Sequence, residues 1–445
     1  MNKVQSIYLD THSKIHLELD LMGSGYDNSR PLYTVITGRN GSYKSMILKK
    51  IAENAMMDEI EKKESAEVNF DISDSRRFKV IAYSGAAIDR YPLKKARRKS
   101  PSNTNCYTYL GQKAGANIIS RRQPFETMLT ESFSFDKVSR MKAAFFKNVF
   151  NLVNLQPRIC FTLAPNPLNK QRSGYSSLYE LVYASSLRSV HKKEKSRLVD
   201  SDLASYLINE FQEVEFYELE NEYNRKIKIN FSEDGINELN IKTRRMIRLG
   251  LLVDAFRITQ AEVTSLATYE TFSLYDLSTG EFNMLNSILG LGFAVEQHSI
   301  VLIDEPEVSL HPQWQVEFIS IISEIFINYR VSHVIVSTHS PLIVSSVTDN
   351  CLIIDLNRDG ESSEEKQSFY GASTDEILIN HFGLATGRNF FVMDTLQQAV
   401  SLIENGKENT SDFRELIPEL QKIQAALSEN DPMIEVIKVV ISHAN

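Results

Sequence analysis

One short loop constrains the fold of this chain more than any other feature. Residues 38–45 read Gly-Arg-Asn-Gly-Ser-Tyr-Lys-Ser and follow Leu32–Thr37, an apolar run with the composition of a buried strand. The apolar residues of Ser45–Lys62 have helical spacing, so the loop is predicted to open a helix. Backbone N–H groups at the start of a helix favour phosphate, and the loop therefore predicts a nucleotide site at a strand–helix junction.

Every residue of this loop is a predicted ATP contact. Lys44 would reach the β- and γ-phosphates and Ser45 would hold Mg²⁺, so ATP and Mg²⁺ are the expected cofactors. Tyr43 departs from the consensus, which has glycine before the lysine. Taken alone, that departure leaves open a chance loop that contains a lysine. The predicted ATP-binding residues of the loop are Gly38, Arg39, Asn40, Gly41, Ser42, Tyr43, Lys44 and Ser45.

A second motif places two carboxylates at the end of an apolar strand. The run Ile300–Ile303 is followed by Asp304, Glu305 and Pro306. Asp304, at the tip of the strand, is placed to hold Mg²⁺ through water. Glu305 is the expected catalytic base, which orients or deprotonates the attacking water. The alternative, an ordinary strand capped by acidic residues, would leave the loop at Gly38 unexplained.

A third motif, Leu-Ser-Thr-Gly-Glu, occupies residues 277–281 and opens a predicted helix. It resembles the signature of ABC ATPases, in which the serine and the following amides contact a γ-phosphate held by the other subunit. That resemblance implies that Ser278 and Gly280 bind ATP. Alone, the motif is also compatible with a simple helix N-cap and its capping-box acid.

A fourth motif follows the buried strand His333–Ser337. The chain continues with Thr338, His339 and Ser340. His339 matches the switch histidine that senses the γ-phosphate and is the second predicted catalytic residue. A lone histidine in this place would more often be structural.

Together the four motifs occur in the order and approximate spacing of ABC ATPases. The sequence Asp-Glu-Pro-Glu at 304–307, followed by Leu-His-Pro at 310–312, resembles the soluble branch that contains the RecF, OLD and SMC-related proteins. The segment between the phosphate loop and the Leu-Ser-Thr-Gly-Glu motif is too short for the long coiled coil of an SMC protein. The part after His339 lacks the Asp-x-Asp that the Toprim domain of an OLD-type nuclease needs. The stretch 368–378 and Gly387-Arg388-Asn389 resemble the PtuA-like ATPases of Septu and retron anti-phage systems.

The expected fold is α/β: an ABC-type ATPase head, with a mixed sheet flanked by helices, that carries a mainly helical insertion and a helical C-terminal tail. Residues 1–120 would form the N-terminal part of the head with the phosphate loop. Residues 121–256 would form the insertion, and 257–370 the C-terminal part of the head. Residues 371–445 would form the tail and bind a partner; their last helix is predicted over Phe413–His443.

The resemblance implies a bacterial anti-phage ATPase that dimerises around ATP and controls a partner. That partner would be an HNH-type nuclease and, in a retron version, also a reverse transcriptase with its RNA–DNA product. A DNA-repair or chromosome-maintenance ATPase of RecF type is the alternative. A transporter subunit is a third class, but no conventional glutamine loop follows Phe78–Ser84, and Gln112 lies too far along to assign.

Composition excludes some classes of protein. No run of about 18 apolar residues could span a bilayer, and Met1–Asp10 lacks the apolar stretch of a signal peptide. Three separated cysteines suggest neither disulfides nor a zinc site, so a reducing cytoplasm is expected. The net charge of −8 excludes a uniformly basic surface. Four local basic clusters leave a nucleic-acid surface open: residues 94–99, Arg121-Arg122, 191–195, and Arg244-Arg245 with Arg248.

Overall fold

In a computed structural model of the chain, short runs of β-branched and apolar residues form the strands. The structure describes residues 2–10, 16–22, 27, 29–38, 41–56, 67–72, 79–93, 107–115, 118–133, 140–166, 181, 182, 184, 185, 227–232, 239, 241–347, 350–356, 363–365, 374–380, 382, 390–427 and 431–443. Among them the strands are β1 (Lys3–Asp10), β2 (His16–Asp20), β3 (Leu32–Thr37), β4 (Val68–Asp71), β5 (Val80–Ser84), β6 (Tyr107–Tyr109), β7 (Lys113–Gly115), β8 (Ile118–Ile119), β9 (Leu155–Pro165), β10 (Ile227–Ser232), β11 (Phe256–Ser265), β12 (Thr271–Ser273), β13 (Ile300–Asp304), β14 (His333–Ser337), β15 (Cys351–Asp355) and β16 (Ser363–Glu365).

The helices in the same part of the chain are numbered in order along it. They are α1 (Lys44–Ala55), α2 (Gln123–Ser132), α3 (Arg140–Leu152), α4 (Ile241–Leu252), α5 (Thr279–Ala294), α6 (Pro312–Asn328), α7 (Pro341–Ser346), α8 (Thr374–Asn380), α9 (Phe390–Glu404), α10 (Ser411–Ala426) and α11 (Met433–Ser442). No helix among the described residues is long and apolar enough to span a bilayer.

The central sheet has seven strands in the order β16-β15-β3-β14-β13-β5-β6. Its strands are parallel except β16, which pairs antiparallel with β15, so the sheet is mixed as predicted. Strands β5, β13 and β14 are buried along their whole length, which is typical of parallel strands covered on both faces. Parallel β3, β13 and β14 bring their carboxyl ends to one edge of the sheet, where three of the four motifs begin.

Side chains alternate between the two faces of this sheet. Val301 and Ile303 lie on one face, in the core that also contains residues of α2, α5 and α6. Ile300 and Leu302 lie on the other face, packed with α1 and with the three-stranded antiparallel sheet β2-β1-β4. The two strands predicted within residues 3–20 are therefore confirmed as β1 and β2, and they cover the helix that the phosphate loop opens.

The described residues of the block 121–256 form three helices, α2, α3 and α4, and two long strands. The strands, β9 and β10, belong to a four-stranded antiparallel sheet in the order β10-β9-β11-β12. The predicted helix Phe135–Leu155 ends at Leu152, because Asn154 has a positive φ of 55° and the chain then runs on as β9. Asp254, with φ of 56°, separates α4 from β11 in the same way and shortens the helix predicted over Ile241–Phe256. Asn and Asp adopt this left-handed conformation more readily than other side-chain-bearing residues.

Some of the other elements predicted between residues 94 and 276 are confirmed, and others lie outside the described residues. The predicted strand Arg225–Phe231 is confirmed as β10, and the predicted hairpin at 261–276 is the antiparallel pair β11 and β12. Two further helices were predicted, over Leu178–Val190 and Leu198–Val214, and most of their residues lie outside the described ones. The basic clusters at 94–99 and 191–195 also lie outside them.

The tail has a small hydrophobic core of its own, formed by α8 to α11. The single last helix predicted over Phe413–His443 is wrong, because the chain forms two helices, α10 and α11. Pro432 is the N-cap of α11, and proline is well tolerated at the start of a helix, where it removes no intrahelical hydrogen bond. Ile437 and Val440 of α11 pack into the tail core, whereas Val436 and Val439 are exposed.

Candidate nucleotide-binding site

The loop after β3 turns sharply at two glycines. Gly38 has φ of 145° and Gly41 has φ of 86°, conformations that favour glycine. A β-carbon on Gly38 would lie 2.6 Å from Ser42 Oγ, so the Ser42 side chain would have to move to admit one. Arg39 and Asn40 lie outside the described residues, and their predicted contacts with ATP stay predictions.

Helix α1 begins at Lys44, and Tyr43 is its N-cap residue. Tyr43 has φ of 69° and ψ of 6°, the left-handed conformation in which the consensus glycine is unstrained. The backbone of the loop thus has the geometry that glycine normally supplies, although a bulky residue stands there. Met46 and Ile47 N–H groups both donate to the carbonyl of Tyr43, which closes the first turn of the helix.

The Lys44 side chain folds back over its own loop. Its Nζ donates to the Gly38 carbonyl at 2.8 Å and to Ser42 Oγ at 3.4 Å, and the residue is only 4% exposed. Burial lowers the pKa of the ammonium, an effect that the charges of nearby carboxylates, chiefly Glu305, oppose. The loop therefore holds a desolvated cation at its mouth, and an arriving anion would compete for that cation.

Asp304 joins the loop to the neighbouring strands. Ser45 Oγ donates to Asp304 Oδ1 at 3.1 Å, and Ser337 Oγ donates to the same oxygen. Burial raises the pKa of Asp304 to about 6 and the charge of Glu305 adds to the rise, whereas both hydroxyl hydrogen bonds oppose it. Ser337 was not predicted from sequence; its signal was its place at the end of β14, beside the carboxylate of β13.

The oxygens of Ser45 and Asp304 suit Mg²⁺, which prefers hard oxygen ligands. In the described part of the chain, no group of three or more His, Cys, Asp and Glu side chains could hold a metal. A Mg²⁺ ion held by these two residues would therefore need phosphate oxygens and water to complete its ligands, as is usual for this ion. The donor set fits the predicted ATP and Mg²⁺ pair.

Glu305 and His339 face each other next to this cluster. His339 Nε2 lies 3.9 Å from Glu305 Oε1, and both side chains are 31% exposed. The Glu305 N–H donates to the Ser337 carbonyl at 2.9 Å, and Glu305 has a positive φ of 48°. Burial and the charge of Lys44 lower the pKa of His339, which Glu305 opposes. A neutral imidazole beside a solvent-reachable carboxylate is compatible with a catalytic base and a phosphate sensor.

Glu307 holds the turn that carries His339. Its Oε1 accepts the His339 backbone N–H at 2.6 Å. Burial raises the pKa of the Glu307 carboxyl, and the hydrogen bond from His339 opposes this rise. Glu307 thereby links residues 305–311, the segment after β13, to residues 338–340, the segment after β14.

Gly85 is a further residue that sequence reasoning missed. It follows β5, and its N–H donates to the Asp304 carbonyl at 2.9 Å. A β-carbon on Gly85 would lie 2.2 Å from the Glu305 carbonyl oxygen, closer than atoms can approach. The backbone of Glu305 therefore rests directly on the backbone at Gly85, and only glycine permits that contact.

The signature turn, residues 277–281, opens helix α5. Ser278 is the N-cap of α5 and forms a capping box with Glu281. A β-carbon on Gly280 would lie 2.6 Å from the Ser309 carbonyl oxygen, so the turn packs against the segment after β13. The Ser278 N–H and hydroxyl both donate to Glu281 Oε2, and the Glu281 N–H donates to Ser278 Oγ.

Gln112, which the sequence left unassigned, belongs to the signature side. Its Nε2 donates to Asn283 Oδ1 of α5 at 3.0 Å, and Asn283 Nδ2 donates to the Val308 carbonyl at 3.4 Å. Gln112 and Asn283 are both buried. The two amides thus support α5 against the segment after β13 and take no part in the Lys44–Asp304 cluster.

Comparisons with known proteins found a matching family model and several sequence relatives. A family model described as "AAA domain, putative AbiEii toxin, Type IV TA system" matches residues 162–345. The chain is 25% identical over 158 residues to "Septu protein PtuA" of Bacillus thuringiensis, covering 34% of this chain and 38% of that protein. It is 26% identical over 140 residues to "Retron Vc95 probable ATPase" of Vibrio cholerae serotype O1 biovar El Tor, covering 27% of each.

A third relative is "Protein ea59" of Escherichia phage lambda, 35% identical over 79 residues, with 18% of this chain and 15% of that protein covered. The chain thus matches less than two fifths of the length of each of these three relatives. Among solved structures, an Smc head domain from Pyrococcus furiosus bound to the C-terminal domain of ScpA covers 83% of this chain and 97% of that chain, at 12% identity and a TM-score of 0.35.

A second solved structure, an SmcHead bound to the C-winged helix domain of ScpA, covers 83% of this chain and 98% of that chain, at 14% identity and a TM-score of 0.33. The chain is similar over part of its length to this AAA-domain family model, to Septu PtuA and to a retron ATPase, and its mixed sheet flanked by helices has the α/β architecture predicted from sequence.

Proposed function

We propose that the chain binds and hydrolyses ATP as a dimer, with each nucleotide held between the loop 38–45 of one protomer and the signature turn of the other. One observation carries this proposal. Lys44, Ser45 and Asp304 converge at one edge of the sheet, whereas Ser278 lies exposed at the start of a different helix, α5. Each protomer then supplies two half-sites.

The chain's own residues would divide the chemistry as follows. Lys44 would exchange its hydrogen bonds with Gly38 and Ser42 for phosphate oxygens. Glu305, 31% exposed, would take the proton of the attacking water. Ser45 and Asp304 would hold Mg²⁺, which when bound neutralises phosphate charge. His339 would meet the γ-phosphate from the end of β14.

We infer that this ATPase serves an anti-phage defence complex in which its nucleotide state controls a partner. The similarity to Septu PtuA and to a retron ATPase supports this role. An HNH-type nuclease is the proposed partner, with a reverse transcriptase and its RNA–DNA product in a retron version. The helical tail α8–α11, with a core of its own, is the proposed docking region.

The dimer proposal is tested with Glu305→Gln, which keeps the size of the side chain but removes the base. Hydrolysis should fall by about 10²–10⁴-fold, and light scattering should detect a dimer that forms only with ATP. Ser278→Arg in the same background should bind ATP with unchanged affinity yet remain monomeric, because its defect lies in the other half-site. A Glu305→Gln protein that stays monomeric with saturating ATP would contradict the proposal.

The control by a partner is tested with an HNH-type nuclease, the proposed partner. Pull-down with the full chain and with a chain that ends after residue 370 should show whether binding depends on the tail. Nuclease activity is then compared with ATP and without nucleotide. An activity that ignores the nucleotide state would refute the proposed control.

A further inference from the structure

One member of the basic pair Arg121-Arg122 points into the molecule. Arg121 lies in the turn between β8 and α2 and is half-buried, whereas Arg122 is exposed. The turn is fixed by backbone bonds, since Ser120 N–H donates to the Gln112 carbonyl at 2.8 Å and Gln123 N–H to the Ser120 carbonyl at 3.3 Å. Arg121 is thus presented from a rigid position.

The guanidinium of Arg121 reaches the segment that leads into the signature turn. One nitrogen donates to the Tyr275 carbonyl at 2.7 Å and another to the Leu277 carbonyl at 3.3 Å. The Cζ atom lies 4.2 Å from the ring centre of Phe282, in the first turn of α5. Three contacts therefore hold the guanidinium plane between the two ends of the signature turn.

These contacts bear directly on Ser278. The carbonyl of Leu277 and the N–H of Ser278 belong to one planar peptide unit, so fixing the carbonyl also fixes the amide. On the other side, the Gly280 backbone packs on the Ser309 carbonyl. The turn is therefore held between Arg121 and the segment after β13, and its exposed face carries the Ser278 hydroxyl.

The chemistry of this clamp is specific to arginine. Its planar fork can donate to two carbonyls while its face stacks on an aromatic ring. A lysine carries the same charge but is a single point donor without a plane. Phe282 is fully buried and also packs edge-on against Phe125 of α2, with ring centres 5.4 Å apart, so its position is set independently of Arg121.

We propose that Arg121 is a positioning residue for the signature turn: it orients the Leu277–Ser278 peptide toward the nucleotide of the other protomer and touches no nucleotide itself. The proposal rests on the sandwiched dimer proposed above. It assigns to Arg121 an inward role in place of the nucleic-acid surface that its basic neighbourhood left open. The defect of an Arg121 variant should accordingly appear only in the half-site that serves the partner.

The test compares Arg121→Lys with Arg122→Lys, both in the Glu305→Gln background. A fluorescent ATP analogue measures binding to the protomer, and light scattering measures ATP-dependent dimerisation. Arg121→Lys should bind the analogue within about twofold of the parent, while its dimer weakens roughly tenfold or more through the lost fork and stacking. Arg122→Lys, which changes an exposed neighbour in the same way, should leave both quantities unchanged.

A mixing experiment separates positioning from general damage. Arg121→Lys protein is mixed with Lys44→Ala protein, both carrying Glu305→Gln and different fluorophores. The mixed dimer has one intact composite site, since both defects fall in the other site. Energy transfer should therefore show ATP-dependent heterodimers at concentrations at which neither variant pairs with itself.

The outcomes are distinct. A parent that does not dimerise with ATP overturns the sandwiched dimer and this inference with it. A parent that dimerises together with an Arg121→Lys protein that dimerises equally well overturns only the role of Arg121. Loss of nucleotide binding by Arg121→Lys, or absence of heterodimers, would show that Arg121 has a general structural role. Either result would also overturn its role as a positioning residue. Phe282→Leu, which removes the stacking face and keeps Arg121, should weaken the dimer in the same direction.

Discussion

Tyr43→Gly and Tyr43→Ala together measure how much strain the phosphate loop stores. Tyr43 stands at φ of 69° and ψ of 6°, where a β-carbon costs roughly 1 kcal/mol relative to glycine. Alanine keeps the β-carbon and removes the ring, whereas glycine removes both. The free energy of unfolding of the glycine variant should therefore exceed that of the alanine variant by about 1 kcal/mol.

The control is the same pair of substitutions at Lys49, in the regular part of α1. At such a position alanine is more stable than glycine by about 1 kcal/mol, because glycine loses more backbone entropy in a helix. Urea unfolding of the four variants without nucleotide measures both differences. The order of the two residues should be opposite at the two positions, and the same order at both would refute strain at Tyr43.

The same variants address turnover. A ring beside the loop, where the backbone approaches phosphate, is proposed to slow hydrolysis and prolong the ATP-bound state. Tyr43→Gly should then raise the rate several-fold, about the factor that 1 kcal/mol off a barrier supplies, and weaken control of the partner nuclease in cells. If backbone strain is the cause, Tyr43→Ala will not share the gain; if the ring is, it will. Unchanged turnover and unchanged defence in the glycine variant would leave Tyr43 a neutral substitution.

Three further predictions concern binding, backbone contact and pH. Lys44→Ala should lose the rise in melting temperature that ATP gives the parent, because only a ligand bound to the native state stabilises it; equal ATP affinity by calorimetry would exclude the loop as the site. Gly85→Ala should lower hydrolysis and destabilise the fold by roughly 1–3 kcal/mol, since its β-carbon must displace the Glu305 carbonyl. Gly290→Ala, whose β-carbon would meet only Leu110 at 3.4 Å, is the matched control and should be tolerated. His333 is buried with its pKa lowered to about 3, so below its unfolded pKa the unfolded state binds more protons and stability is lost as pH falls. Between pH about 6 and about 3 its contribution should fall by about 1.4 kcal/mol per pH unit, and urea unfolding of His333→Gln should show a correspondingly shallower pH slope; parallel slopes would refute it.

The hydrogen bonds of His333 explain why it stays neutral. Its Nδ1 accepts the Val4 N–H at 3.2 Å. Its Nε2 lies 2.8 Å from Thr34 Oγ1, and that hydroxyl donates to the Leu21 carbonyl. The ring therefore donates through Nε2 and accepts through Nδ1, which a doubly protonated imidazole cannot do. The histidine that begins β14 is structural, whereas the one that follows it, His339, faces the site.

Sequence alone located the parts of the site that are encoded locally. Lys44 and Ser45 follow a strand and open a helix, and Asp304 ends an apolar strand, so short runs of residues were enough to predict their meeting. Ser337 and Gly85 were missed because their roles depend on contacts across neighbouring strands, which no local spacing reveals.

Errors in the fold have equally specific causes. Apolar residues on either side of Asn154 and Asp254 continue without a break in composition, so a helix and the strand after it were predicted as one helix. The division of the tail into α10 and α11 was missed in the same way, although Pro432 marks it. In each case one residue changes the backbone direction while the hydrophobic pattern runs on.

The segment after β13 has a consequence for cooperativity. It begins at Glu305, beside the proposed nucleotide site of its own protomer, and its Glu307 holds the turn of His339. Four residues beyond Glu305, the Ser309 carbonyl supports the Gly280 backbone, which faces the other nucleotide in the proposed dimer. A displacement of this segment at one nucleotide must therefore be transmitted to the other, because both contacts belong to the same few residues. A dimer built in this way would respond to ATP with a Hill coefficient above one and would release its two nucleotides as a single event.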